Sequence, residues 1–238
     1  MPNDTFEFKK FKIKQDKCAM RVSTDAVLLG AWVSPSGSKK ILDIGTGTGI
    51  IALMLAQKSD AQILAIDIDK DSTEQASLNV SQSIYHDKIT VKHTSFQELV
   101  ASTNEKFNLI VTNPPYFIAS LKNNDDTRTI ARHTDTLSFD DLLSGVKKLL
   151  DDKGKFCLIL PTKEAAIFRE KATAKGLYLS KLLRIRTHME KDSEKRHIMQ
   201  FEFKESEFSE STLVIGEDKN RSYTQAYKDL TKDYYLHF

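Results

Sequence analysis

KKILDIGTGTGI, residues 39–50, decides the fold. A short β-rich run, KKILDIG (39–45), ends in Gly45 and is followed by Gly47 and Gly49, separated by single threonines, and then by an amphipathic helical stretch near 49–58. Glycines here let a ligand approach bare backbone at a tight strand-to-helix turn. The spacing is GxGxG, with Ile50 where a dinucleotide-binding fold would place a third glycine or alanine, so the pyrophosphate-cradling fingerprint is not met. A nucleoside without phosphates fits better. The next β-rich run, AQILAID (61–67), ends on Asp67, 18 residues beyond Gly49, close to the spacing at which a carboxylate meets ribose hydroxyls. Both carboxylate oxygens accept, which suits a diol. The competing reading is an ordinary tight turn, with Asp67 capping the helix after it.

Outward from this turn, short β-rich runs alternate with amphipathic stretches. Strands are expected at KITVKH (88–93), FNLIVTN (107–113) and GKFCLILP (154–161), and helices near 70–84, 138–150 and 163–175. Such alternation argues for a parallel sheet covered on both faces. LLRIRTHM (182–189) and RHIMQFEFK (196–204), joined by the charged EKDSEK, read as a hairpin at one sheet edge. Before the glycine strand, FEFKKFKIKQ alternates as a strand or hairpin and TDAVLLGAWV (24–33) reads as a helix. The expectation is one domain over residues 1–238, with residues 1–38 as a basic N-terminal cap.

Composition limits the function classes. With 35 basic and 33 acidic side chains and a formal charge of +2, nucleic-acid affinity must come from local clustering and not from bulk charge. No apolar run approaches the roughly 20 residues needed to span a bilayer, and MPNDTFEFKKFK lacks a secretory apolar stretch, so a cytoplasmic protein away from membranes is expected. Cys18 and Cys157 stand far apart with no partner at metal-ligand spacing, and are expected to be buried free thiols with no metal site.

Residues 40–161 resemble class I methyltransferases, whose first motif, E/DxGxGxG, matches Asp43 to Gly49 and whose acidic second motif matches Asp67. The resemblance implies an α/β, Rossmann-like fold with a mostly parallel seven-stranded sheet, an antiparallel edge hairpin and helices on both faces. It implies S-adenosylmethionine as cofactor. Carried over, Asp43 and Gly49 are cofactor-binding residues at the two ends of the loop, Gly45 and Gly47 meet the amino-acid end, Asp67 binds ribose and Ile68 packs on adenine. Ser95 and Phe96 stand where the family offers an acidic or polar residue to the adenine amine. Serine accepts less strongly than aspartate, and Phe96 alternatively belongs to the core.

Asn113-Pro114-Pro115-Tyr116 follows the strand FNLIVT, on the same sheet edge as the glycine loop and Asp67. In the methyltransferase family, N/DPPY/F marks enzymes acting on amines of adenine, cytosine or guanine, or on the glutamine amide. The lone pair of such an amine is delocalised and must be made more nucleophilic. An asparagine side-chain oxygen and a main-chain carbonyl, each accepting one N–H, draw the nitrogen towards sp³ geometry and stabilise the developing positive charge. Pro114 and Pro115 lock the backbone carrying the second acceptor. Tyr116 offers a face for an extruded base, a contact worth roughly 1–3 kcal/mol. No strong base is required, because the proton becomes acidic once the nitrogen is methylated. Alone, the tetrapeptide could equally be a proline-rich turn with Tyr116 in the core.

The motif does not choose between adenine and glutamine. The flanks ARHTDTLSFDDLLSGVKKLL (131–150), FKKFKIKQDKCAMRVSTDAVLLGAW, LLRIRTHMEKDSEKRH and LTKDYYLHF resemble the bacterial tRNA(Val) adenine-37 N6-methyltransferase family, over nearly the whole chain. That resemblance implies methyl transfer to the N6 of an adenine in tRNA, at position 37 of the anticodon loop; a monomer is expected. Loop residues Lys122, Arg128, Arg132 and His133 are then candidates to grip phosphates, and Lys10, Lys12 and Arg21 to track the RNA backbone; solvated faces are the alternative. Thr24 and Asp25 either reach the cofactor pocket or cap their helix. Tyr234, Tyr235 and Phe238 either dock on the domain or stack on bases. Other readings are a glutamine N5-methyltransferase acting on a release factor, for whose helical recognition domain the 38 residues before the glycine strand are too few, a DNA adenine methyltransferase, and a non-catalytic binding subunit.

Overall fold

The computed structural model describes residues 4–18, 20–114, 137–189, 194–217 and 222–238. The elements run β1 (Thr5–Glu7), β2 (Lys12–Lys14), α1 (Thr24–Trp32), β3 (Lys40–Ile44), α2 (Ile50–Lys58), β4 (Gln62–Asp67), α3 (Lys70–Ser81), β5 (Ile89–His93), α4 (Phe96–Ser102), β6 (Phe107–Thr112), α5 (Phe139–Leu149), β7 (Leu150–Pro161), α6 (Thr162–Ala174), β8 (Tyr178–His188), β9 (Glu194–Glu202), β10 (Ser209–Gly216) and α7 (Gln225–Thr231).

The main sheet has the order β5-β4-β3-β6-β7-β9-β8-β10. From β5 to β7 every pairing is parallel, and β9 runs antiparallel to both its neighbours. The expected hairpin is therefore β8–β9, with β9 inserted beside β7. An eighth strand, β10, pairs parallel to β8 and forms the edge. It escapes a sequence reading because its first four residues are exposed and only Leu213 and Gly216 are buried.

The inner strands of the parallel half are buried on both faces, as β3 shows from Ile41 to Ile44 and β6 from Leu109 to Thr112. One core lies against α1, α2, α7 and the N-terminal segment, with Leu28, Leu53, Met54 and Tyr234 in it; the other lies against α4, α5 and α6, with Phe96, Leu142 and Phe168. Helix α5 shows why: Phe139, Leu142, Leu143, Val146 and Leu149 recur at helical spacing and all are buried. From β3 the chain progresses outward through β4 to β5, then returns to β6 on the other side of β3 and moves on to β7. Ligands bind beyond the carboxyl ends of the strands at such a reversal.

The N-terminal hairpin β1–β2 is tied to this reversal. Asn79 on α3 accepts from Lys14 N at 2.9 Å, and its amide donates to Lys14 O and to Thr48 O of the glycine turn, both at 2.9 Å. Lys9 donates through Nζ to the carbonyls of Lys232 and Phe238. Tyr234, 2% exposed, donates to Met54 O, and Tyr235 packs near Phe6 and Phe8. The tail thus docks on the fold.

Candidate active site

Gly45, Gly47 and Gly49 have φ of 69°, 55° and 82°, a region L side chains rarely adopt. Gly45 N and Thr46 N both donate to Ile66 O at 2.9 Å, which folds the loop over the end of β4. Gly49 N-caps α2.

Asp67 closes β4 and accepts from Gly47 N through Oδ2 at 2.8 Å and from Asp69 N through Oδ1 at 2.9 Å. A carboxylate has about four lone-pair sites. Each oxygen is therefore left with acceptor capacity for a ligand hydroxyl. The cap of α3 is Asp69, whose Oδ2 accepts from Ser72 N at 2.8 Å, so the capping alternative for Asp67 does not hold. Burial raises the Asp67 pKa, opposed by the Asp69 and Gly47 N–H groups.

Asp43 lies beneath the loop, fully buried, and is not among the residues lining the cavity described next. Its Oδ2 accepts from Thr46 Oγ1 at 2.6 Å, while Oδ1 has no hydrogen-bond partner. Burial pushes this carboxyl up to about 7, against the Thr46 hydroxyl. Asp43 supports the loop from below through Thr46.

A cavity of about 350 Å³ opens over this edge, in the size range of small-molecule sites. Its lining runs from Ile68, Ser95, Phe96 and Gln97 at one end, past Gly45, Gly47 and Asp67, to Thr112, Asn113 and Pro114 at the other. Ile68 is 51% exposed, an apolar face beside Asp67. Thr112 Oγ1 donates to Ile44 O at 2.8 Å, which pins the end of β6 to β3 and fixes Asn113 beside the glycine loop. Asn113 is half-buried and Pro114 buried. A diol acceptor, an apolar platform and an open glycine wall on one cavity fit a nucleoside carrying an amino-acid chain. The Ser95 hydroxyl caps α4, accepting from Glu98 N at 3.1 Å in a capping box, so its acceptor capacity is shared. Phe96 serves the cavity wall and the core together.

A family profile, the methyltransferase small domain, matches residues 20–164. The chain is 45% identical over its whole length, and the whole length of the relative, to a tRNA1(Val) (adenine(37)-N6)-methyltransferase of Trichodesmium erythraeum. It is 43% identical to the protein so named in Bacteroides thetaiotaomicron, over 100% of this chain and 99% of that one. The chain belongs to the tRNA1(Val) (adenine(37)-N6)-methyltransferase family. Among solved structures, a predicted O-methyltransferase of Agrobacterium tumefaciens superposes with a TM-score of 0.67 at 17% identity, over 88% of this chain and 96% of that one. A ribosomal protein L11 methylase of Lactobacillus delbrueckii gives 0.57 at 18% identity, over 81% and 84%. These two show the fold.

Of the other residues singled out for this family member, Pro115, Tyr116, Lys122, Arg128, Arg132 and His133 lie outside the described residues. Lys10 and Lys12 are exposed on or beside the hairpin, with Lys12 2.7 Å from Glu7, and neither lines the cavity. Arg21 does line it. Thr24 and Asp25 do not: Ser23 caps α1, and Asp25 accepts from Arg196 Nε at 2.8 Å. Cys18 and Cys157 are buried free thiols, and Cys18, unassigned from sequence, forms part of the cavity wall with its Sγ 3.2 Å from Ser72 Oγ. Among the described residues no group of three or more His, Cys, Asp or Glu is placed to hold a metal, and no helix is long and apolar enough to cross a membrane.

Proposed function

We propose that this protein transfers a methyl group from S-adenosylmethionine to the N6 amine of an adenine in tRNA, at position 37 of tRNA1(Val) as its relatives are named, in the cytoplasm where tRNA is processed. The observation that carries the reading is the single cavity joining Asp67 to Asn113 and Pro114. When bound, the cofactor supplies an electrophilic methyl on its sulfonium. Asp67 holds the ribose hydroxyls with the acceptor capacity its carboxylate retains. Ile68 and Phe96 hold the adenine ring between apolar surfaces. The Asn113 side-chain oxygen accepts one N–H of the target amine, orienting its lone pair towards the methyl and stabilising the charge that grows on nitrogen. Pro114 fixes the chain leading to the main-chain acceptor.

The test supplies purified protein with labelled S-adenosylmethionine and separate pools of unmodified tRNA1(Val), the same tRNA with guanine at position 37, ribosomal RNA, duplex DNA and a release factor. Label is expected in the first tRNA alone, recovered as N6-methyladenine. Label confined to the release factor overturns the RNA reading, and label in the guanine-37 tRNA overturns the position.

A further inference from the structure

We infer that Arg21 binds the carboxylate at the amino-acid end of the cofactor, which makes the segment before α1 part of the cofactor site. The inference rests on the methyl-donor reading of the cavity proposed above. A nucleoside joined to an α-amino acid presents a carboxylate that needs donors. Four N–H groups of the glycine loop are already engaged. The N–H groups of Gly45 and Thr46 are engaged by Ile66 O, that of Gly47 by Asp67, and that of Gly49 by Thr46 O. A side-chain cation adds the charge that backbone N–H groups lack.

Among the described residues lining the cavity, Arg21 is the one lysine or arginine. The acidic groups there already have other work, Asp67 towards the diol and Asp69 in the cap of α3. The backbone around Arg21 is held in place: Lys17 N donates to Gln75 Oε1 at 3.0 Å, Val22 N donates to Gln15 Oε1 at 2.9 Å, and Ser23 caps α1. Its neighbour Cys18 has Sγ 3.9 Å from where a β-carbon on Gly47 would stand, so this segment faces the loop glycines. The guanidinium itself is only loosely held. Its Nη2 is 3.5 Å from Asp4 Oδ1, at the outer limit of a contact, and the side chain is 43% exposed. An anchored backbone with a loosely paired planar fork suits bidentate capture of a carboxylate.

The experiment is calorimetric titration of wild type, Arg21→Ala and Arg21→Lys with two ligands. S-adenosylhomocysteine carries the amino acid; 5′-methylthioadenosine keeps the nucleoside and sulfur but lacks it. Arg21→Ala is expected to weaken the first by about 10- to 100-fold, the range for losing hydrogen bonds to a charged group, to change the second less than about 2-fold, and to leave tRNA affinity unchanged. Arg21→Lys should fall between. Equal losses for both ligands, unchanged affinity for both, or a loss confined to tRNA binding would each overturn the assignment. Wild-type protein that binds neither ligand overturns the methyl-donor reading itself, and this inference with it.

Discussion

Replacing Asp67 by alanine separates two roles that one carboxylate combines. On the protein side it removes the acceptor for Gly47 N and Asp69 N, at 2.8 and 2.9 Å. Bonds to a charged group contribute about 1.5–3 kcal/mol each, but burial already disfavours this charge, so a net stability loss of about 1–2 kcal/mol is expected. On the ligand side it removes two bonds from the ribose hydroxyls. At the low end of the same range that is about 3 kcal/mol, and with tenfold per 1.4 kcal/mol the Kd for S-adenosylhomocysteine should rise about 100-fold or more. Calorimetry on the folded variant, with thermal unfolding alongside, measures both. A 2′-deoxy analogue sharpens the test: wild type should bind it more weakly than the parent ligand, and the variant should hardly distinguish the two. If the variant binds S-adenosylhomocysteine within about 3-fold of wild type, the carboxylate only clamps the loop and the diol argument fails.

Asn113→Ala should leave S-adenosylhomocysteine affinity within about 3-fold while single-turnover methyl transfer falls by about 10²–10³, the range for removing one group that stabilises developing charge; a collapse of cofactor affinity would move Asn113 to the cofactor. Asp43 titrates near 3.8 when unfolded and is pushed up to about 7 by burial in the fold. Between those values the folded state holds the extra proton, so stability falls as pH rises, by on the order of 4 kcal/mol across the window. Asp43→Asn, which keeps an acceptor for Thr46, should remove that slope in urea unfolding, and parallel profiles would refute it. In Gly145→Ala the new methyl meets Phe96 Cε1 and stands 2.8 Å from Val100 Cγ2. Overpacking of about 1–3 kcal/mol should outweigh the roughly 1 kcal/mol gained in helix propensity and shift Phe96 off the cavity wall. Lower denaturation midpoints and weaker cofactor binding check this; a more stable variant would contradict it.

The parallel half of the sheet is legible because strands buried on both faces leave unbroken apolar runs, such as ILAI (63–66) and CLIL (157–160), with glycine or charged punctuation between them. The elements that escape the reading bury little. Helix α7 buries only Tyr227 and Thr231, and β10 exposes half its length. Helix α4 is different, because its signal is present: Ser95 and Glu98 have the spacing of a capping box. Read as a place for a cofactor contact, Ser95 hid the helix it starts. Asp43 illustrates the converse. It belongs to the glycine motif by spacing, yet its side chain turns beneath the loop to Thr46, a choice that no one-dimensional pattern records.

Charge is the property that sequence shows most plainly and interprets least well, since pairing is decided at long range. Lys9 belongs by sequence to the basic N-terminal cap, but its amine donates to the main-chain oxygens of Lys232 and Phe238, more than 220 residues away. Arg184 is held by Glu194 and Glu210, and Arg196 by Asp25, so the basic β8–β9 region presents less free charge than its composition suggests. Lys12 meets Glu7 across the hairpin, both half or more exposed. A surface pair of this kind is worth about 0–1 kcal/mol, which an approaching phosphate can displace. Lys12 and the exposed Lys10 therefore keep their candidacy for RNA contact, whereas Lys9 would have to abandon two carbonyls to join them. Arg21 stands apart from these lysines for a geometric reason. The bond from Val22 N to Gln15 Oε1 holds the backbone next to Arg21, which lines the cavity while its guanidinium stands 3.5 Å from Asp4 beside the hairpin.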